Sequence, residues 1–152
     1  MTATPDDTLL TQARQIARAA HAGQVDKLGV DYFEHVRAVA DAVAHLGTDH
    51  VITGLLHDTL EDCDDRTIVS PALLEARFGA RIAHAVDAMT KRDGEDHERD
   101  YLPRILANPI ARAVKRADVT HNLSRLHLLD PADQSRLRNK YDAVLKLLDQ
   151  AP

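Results

Sequence analysis

The stretch TGLLHDTLEDCDD, Thr53 to Asp65, sets a histidine and an aspartate side by side at the end of an apolar run and adds a Glu-Asp pair one helical turn later. On a helix, residues three and four apart share a face, so His57 aligns with Glu61, and Asp58 aligns with both Glu61 and Asp62. A solvated acidic helix end is one reading of such a wall. The other is a site. Turned inward without a cation, these carboxylates would repel one another and be desolvated, which raises their pKa values or drives the helix outward; a divalent metal removes the conflict. Imidazole with carboxylate is a mixed nitrogen and oxygen set, better suited to manganese, iron, zinc or nickel than to calcium, and the single cysteine, Cys63, leaves no thiolate set for a structural zinc. Cys63 follows acids that disfavour a thiolate and reads as an inert thiol. Two ligands do not complete a site. The further candidates are His35, in YFEHVRAVADAV, and Asp118, in AVKRADVTHNLSRL. For Asp118 the competing reading is a salt bridge to Lys115 one turn earlier.

The elements that must position these residues read as helices, because apolar spacing near 3.6 dominates and two-residue alternation is absent. The pattern predicts helices over about Pro5 to Ala22, Phe33 to Leu46 and Asp49 to Glu61, with Gly47 closing the second and Thr48 or Asp49 capping the third. Ser70, Pro71 and Gly79 bracket the next, and another covers about Ala80 to Met89. Lys91 to Glu95 reads as a loop before a short helix through Leu106, Asn108 and Pro109 open another, and Asp130 caps a last one that runs to about Leu148. The expectation is one all-α domain over residues 1–152. The start MTATPDDTLL lacks the basic and apolar regions of a secretory signal, which points to the cytoplasm. No apolar run approaches the roughly 20 residues of a membrane span. A formal charge of −5 and 3% aromatic residues argue against a nucleic-acid footprint, so an anionic substrate needs a local positive centre.

Three stretches in order, HAGQVDKLGVDYFEH, GLLHDTLED and KRADVTHNL, resemble the HD-domain phosphohydrolases. Among these they are most similar to the hydrolase domain of the RelA/SpoT alarmone enzymes and their small single-domain relatives, which remove the 3′-pyrophosphate from ppGpp. The resemblance spans about His21 to Leu126. It implies an all-α HD-domain bundle, metal ligands at His35, His57, Asp58 and Asp118, usually holding Mn2+, and an acidic pair, Glu61 and Asp62, that orients and deprotonates the attacking water. Chemistry read from the residues agrees. A metal with open positions lowers the pKa of water and neutralises phosphoryl charge, and a carboxylate beside it takes the proton, with Asp62 favoured and Glu61 a close rival.

The departures fall on the substrate side. Where the family carries an Arg-Lys pair after Gly-Gln, this chain has Asp26-Lys27, and a Tyr-Ile-x-His-Pro run becomes Tyr32-Phe33-Glu34-His35-Val36. The arginine that would stack on guanine is thus Asp26, neither a flat cation nor a phosphate contact, and ppGpp is expected to be a poor substrate relative to another phosphorylated nucleotide. Candidate substrate contacts are Tyr32; Lys27, against a solvated lysine; Asn122, against a core hydrogen bond; Arg125; and Lys91 with Arg92, against a solvated loop. The prediction is a metal-dependent phosphohydrolase of a small phosphorylated metabolite, a nucleotide first. A guanosine-3′,5′-bis(diphosphate) 3′-pyrophosphohydrolase is the second reading. A non-catalytic nucleotide-binding regulatory module is the reading of another class, and intact Glu61 and Asp62 count against it.

Overall fold

In the structure, a computed structural model that describes residues 2–150, the chain runs α1 (Pro5–Ala20), α2 (Tyr32–Ala42), α3 (Thr48–Leu56), α4 (Thr59–Asp62), α5 (Pro71–Phe78), α6 (Ala80–Ala88), α7 (Leu102–Leu106), α8 (Pro109–Ser124) and α9 (Pro131–Gln150). Short 3-10 turns occupy Ala44–Leu46 and Leu126–Leu128, and a π turn occupies His97–Tyr101. Among the described residues the extended pairing is one isolated bridge, Val25 to Asp31, which closes the turn between α1 and α2. Among the described residues no helix is long and apolar enough to cross a membrane.

Side-chain caps set most helix starts, because each satisfies an amide that has no partner inside the helix. Ser70 accepts from Leu73 N, Asn108 from Ala111 N and Asp130 from Asp133 N, as the sequence predicts. The third helix differs. It begins at Thr48 behind Gly47, whose φ is 117°, with no side-chain cap; the Thr48 hydroxyl instead donates to Asp6 on α1 at 2.9 Å. It also stops at Leu56 rather than Glu61, leaving His57 and Asp58 in a turn before α4. The reason is side-chain competition for the helical ladder. His57 Nδ1 donates to the Gly54 carbonyl at 2.7 Å, and the Thr59 hydroxyl donates to the Leu56 carbonyl at 2.8 Å.

Two apolar clusters meet at α2. Val36 and Ala40, one turn apart, face the first, with Ile16, Ile52, Leu56 and Leu74. Val39 and Val43 face the second, with Met89, Ile105, Val114 and Leu148. Full burial of each large aliphatic side chain contributes roughly 1.5–3 kcal/mol, so α2 is fixed from both sides. Gly54 lets α3 approach it closely, since a Cβ there would lie 2.9 Å from Ala40 Cα.

Gly54→Ala is therefore expected to destabilise the protein by about 1–3 kcal/mol, despite the better helix propensity of alanine. Urea unfolding checks this: a midpoint equal to or above wild type would show that α2 and α3 do not need the close approach.

Candidate active site

His35 enters from the first turn of α2, His57 and Asp58 from the turn after α3, and Asp118 from the third turn of α8. One ligand atom from each of the four lies within 4.8 Å of the others, and His35, His57 and Asp118 are buried. His35 Nε2 is 2.9 Å from Asp118 Oδ1, and His57 Nε2 is 3.1 Å from Asp58 Oδ2 and 3.7 Å from Asp118 Oδ1. The structure thus brings together the four residues that the sequence singled out as ligands.

Each of these side chains is also gripped from outside the cluster, which is how ligands are usually oriented. The Gly54 carbonyl takes His57 Nδ1 and turns Nε2 inward. His121 Nδ1 meets His35 Nδ1 at 2.8 Å, and the Tyr32 hydroxyl donates to Asp58 Oδ2 at 2.6 Å. Lys115 Nζ donates to Asp118 Oδ2 at 3.1 Å, while Asn122 Nδ2 reaches Asp118 Oδ1 at 3.4 Å. The two readings of Asp118 are therefore compatible, one on each carboxylate oxygen. The inward Nε2 of His57 is buried and no group meets it at hydrogen-bonding geometry, although Asp58 lies close. A buried ring nitrogen without an aligned partner, facing two carboxylates, is what a nitrogen and oxygen donor set for a divalent cation requires.

The acids of the site divide by environment. Burial would raise Asp58, but the adjacent His57 brings it down to about 2. Burial also opposes ionisation of Asp118, and the Lys115 ammonium with its His35 and His57 contacts holds it well below the usual carboxylate range. Glu61 and Asp62 go the other way. Desolvation raises both, with repulsion from Asp58, against weaker relief from Lys91 N at Glu61 and from the Gln24 amide at Asp62. Neighbouring carboxylates whose environments push their pKa values apart are suited to different roles: one pair ionised and fixed, the other more basic.

Beside the cluster opens a cavity of about 340 Å³ lined by Asp26, Lys27, Tyr32, Asn122, Arg125 and Tyr141, among others. Four of the candidate substrate contacts, Lys27, Tyr32, Asn122 and Arg125, thus share one space. Lys91 does not line it and reaches the site through its main-chain N–H, which donates to Glu61; Arg92 pairs with Asp87 on the surface. Asp26 is not a bare carboxylate. Its Oδ1 accepts from Leu28 N and Val30 N, and its Oδ2 pairs with Arg125 Nη1 at 2.6 Å. Reasoning from sequence missed His21, Gln24, His121 and Tyr141. The first three lie inside the recognised motifs, where their types were the available signal; Tyr141 lies outside them.

A family described as HD domain matches residues 13–149. A probable GTP pyrophosphokinase of Mycobacterium leprae is 32% identical over 139 residues, covering 85% of this chain and 17% of that protein. A guanosine-3′,5′-bis(diphosphate) 3′-pyrophosphohydrolase of Haemophilus influenzae is 36% identical over 134 residues, covering 80% and 19%. The bifunctional (p)ppGpp synthase/hydrolase SpoT of Escherichia coli is 30% identical over 147 residues, covering 88% and 20%. The chain thus spans a fifth or less of the length of these relatives. A solved structure described as a metazoan orthologue of SpoT that hydrolyses ppGpp superposes with a TM-score of 0.80 at 19% identity, over 99% of this chain and 89% of that one, which shows the fold.

If the four side chains form one centre, single replacements at opposite ends of it should act alike. His57→Ala and Asp118→Ala are each expected to lose stoichiometric divalent-ion binding in calorimetry with Mn2+, while wild type takes up one ion. Undiminished stoichiometry in both variants would place the ion elsewhere.

Proposed function

This chain belongs to the HD-domain family, and from that premise we propose that it is a metal-dependent phosphohydrolase cleaving a phosphate or pyrophosphate ester of a nucleotide. The carrying observation is the convergence of one ligand atom from each of His35, His57, Asp58 and Asp118 within 4.8 Å, with Glu61 and Asp62 on the helical turn that follows; the sorting of acids is in keeping with it. Asp58 and Asp118 are held ionised beside two imidazoles, while Glu61 and Asp62 are raised next to them. In this reading His35, His57, Asp58 and Asp118 hold the divalent ion, with manganese the metal proposed. Bound there, such an ion supplies positive charge against phosphoryl oxygens and acidifies water.

The chain's own residues do the rest. Asp62, half-buried and raised above an ordinary aspartate, takes the proton from the attacking water, with Glu61 as the neighbouring acceptor steadied by Lys91 N. Tyr32 and Asn122 sit where the cavity meets the ligand cluster and contact the sugar and phosphate. Lys27 and Arg125 offer cationic donors, and Leu137 with Tyr141 gives a base an apolar wall. A module that only binds nucleotide would have no use for two basic carboxylates beside the ligands.

The pairing of Asp26 alters the expectation for ppGpp. Asp26 still supplies no flat cation to stack on guanine, but its charge is met by two amides and Arg125 and does not face the cavity bare. With relatives that carry the pyrophosphohydrolase name, this makes guanosine-3′,5′-bis(diphosphate) the substrate proposed first. Asp26→Arg would remove the acceptor of the turn and set one guanidinium against another, so it is expected to lose efficiency rather than gain it.

Two measurements follow. Glu61→Gln and Asp62→Asn keep shape and remove a proton acceptor; at least one should bind Mn2+ as wild type does and lose about 10²- to 10⁴-fold in turnover. Full activity in both would put the base elsewhere. Separately, the manganese-loaded protein is incubated with ppGpp and a panel of nucleoside di- and triphosphates, and the products are separated by chromatography. Pyrophosphate with GDP from ppGpp is the expected outcome. Orthophosphate from another nucleotide alone would move the substrate, and no turnover of any compound would sink the reading.

A further inference from the structure

Gln24 stands in the turn after α1 and has no part in the reading above, yet its side chain joins two buried or half-buried groups. Its Oε1 accepts from His21 Nδ1 at 2.8 Å, and its Nε2 donates to Asp62 Oδ2 at 3.2 Å. Only this orientation of the amide offers a C=O to the ring N–H and an N–H to the carboxylate; flipped, it would set oxygen against oxygen. His21 is 1% exposed, and its Nε2 is buried with no partner, so the bond to Gln24 is the ring's one side-chain hydrogen bond among the described residues. The ring is also steadied by Tyr32, with centroids 4.8 Å apart.

We propose that Gln24, locked by His21, is the positioning residue of Asp62: it occupies Oδ2 and leaves Oδ1 as the oxygen that accepts the proton of the attacking water. Among the described residues no side chain or amide donates to Oδ1. The inference rests on the assignment of Asp62 as the proton acceptor. It adds the reason why one oxygen of a half-exposed carboxylate acts reproducibly, since a free carboxylate rotates and spends part of its time misaligned. The same turn holds the other arm of the site, because the Tyr32 hydroxyl donates to Asp58 Oδ2 at 2.6 Å. One segment, residues 21–32, therefore fixes both a proposed ligand and the proposed base.

A structural role for Gln24 is separable. The turn is closed by its main chain, with Gln24 N donating to His21 O and Tyr32 N donating to Gln24 O, both at 3.0 Å. Neither bond needs the amide side chain. Gln24→Met keeps length and volume and removes the bridge, leaving His21 Nδ1 without its partner.

The test is a double-mutant cycle on the manganese-loaded protein with ppGpp and the nucleotide panel as substrates, reading kcat and KM separately, with Mn2+ affinity from calorimetry and the unfolding midpoint as controls. Gln24→Met should lower kcat roughly ten- to a hundredfold with KM and metal affinity unchanged, and should lower the midpoint only as far as one unpaired buried ring N–H requires. In the Asp62→Asn background the same substitution should have almost no further effect, because the oxygen it aims is no longer a base. If Asp62→Asn is impaired and Gln24→Met turns over like wild type, or if the two effects multiply, the positioning role is overturned and the hydrolase reading stands. If Asp62→Asn is fully active, or if no compound is hydrolysed, the assignment of Asp62 fails and this inference fails with it.

Discussion

Two ionised carboxylates lie where α2, the end of α3 and α8 converge, and the fold is arranged around the need to compensate them. Taking a carboxylate out of water costs several kcal/mol, recovered only where partners are close and aligned. Asp118 has Lys115 on one oxygen and His35 on the other; Asp58 has the Tyr32 hydroxyl, with the His57 ring close by. These partners come from α2, from the turn after α3 and from α8 itself. Apolar packing tolerates many volume-conserving rearrangements. A polar cluster with this many directed contacts does not, so it specifies how the three helices sit against one another. The close approach at Gly54 serves the same end, since the carbonyl of that residue is the one that aims His57.

The same surroundings treat the four acids differently because of where the helix breaks. His57 and Asp58 sit in a turn whose ring and hydroxyl contacts interrupt α3, and the chain restarts as α4 with Glu61 and Asp62 on it. Asp58 thereby faces the histidines and the Tyr32 hydroxyl. Glu61 and Asp62 are turned toward weaker relief, an amide N–H each, so that desolvation dominates and both become better bases. Desolvation acts on both pairs, although Glu61 and Asp62 are the more exposed. The difference lies in the number and charge of donors that each receives.

Much of this was legible in the sequence, and the part that was not has identifiable causes. Donor types in order marked His35, His57, Asp58 and Asp118, and cap residues such as Ser70 and Asn108 set helix starts where expected. The break at His57 was hidden, because periodicity reports which residues are apolar and not which side chains will take backbone carbonyls from the ladder. Asp118 was posed as ligand or salt bridge, when a carboxylate has two oxygens and can serve both. Lys91 was read for its side chain, whereas its amide meets Glu61. The bond from Gln24 to Asp62 joins residues far apart in the chain, and nothing local in the sequence announces it.

Asp26 is the case in which chain distance hid a partner most completely. Read in place, it is an acid where the family carries an arginine, and the loss of a stacking cation follows. In the fold its partner, Arg125, lies at the end of α8 and closes a cluster of three donors around one carboxylate. That pair ties the turn between α1 and α2 to the helix carrying Asp118 and Asn122, so the cavity rim and the ligand cluster are parts of one framework. It also changes what the rim can discriminate. Within the pair the charges offset, and Arg125 commits Nη1 to Asp26 while its planar fork carries further donors. Recognition there depends on the direction of hydrogen bonds from a pre-oriented guanidinium, with Lys27 as a separate point charge on the same cavity, more than on the formal count of acids and bases along the chain.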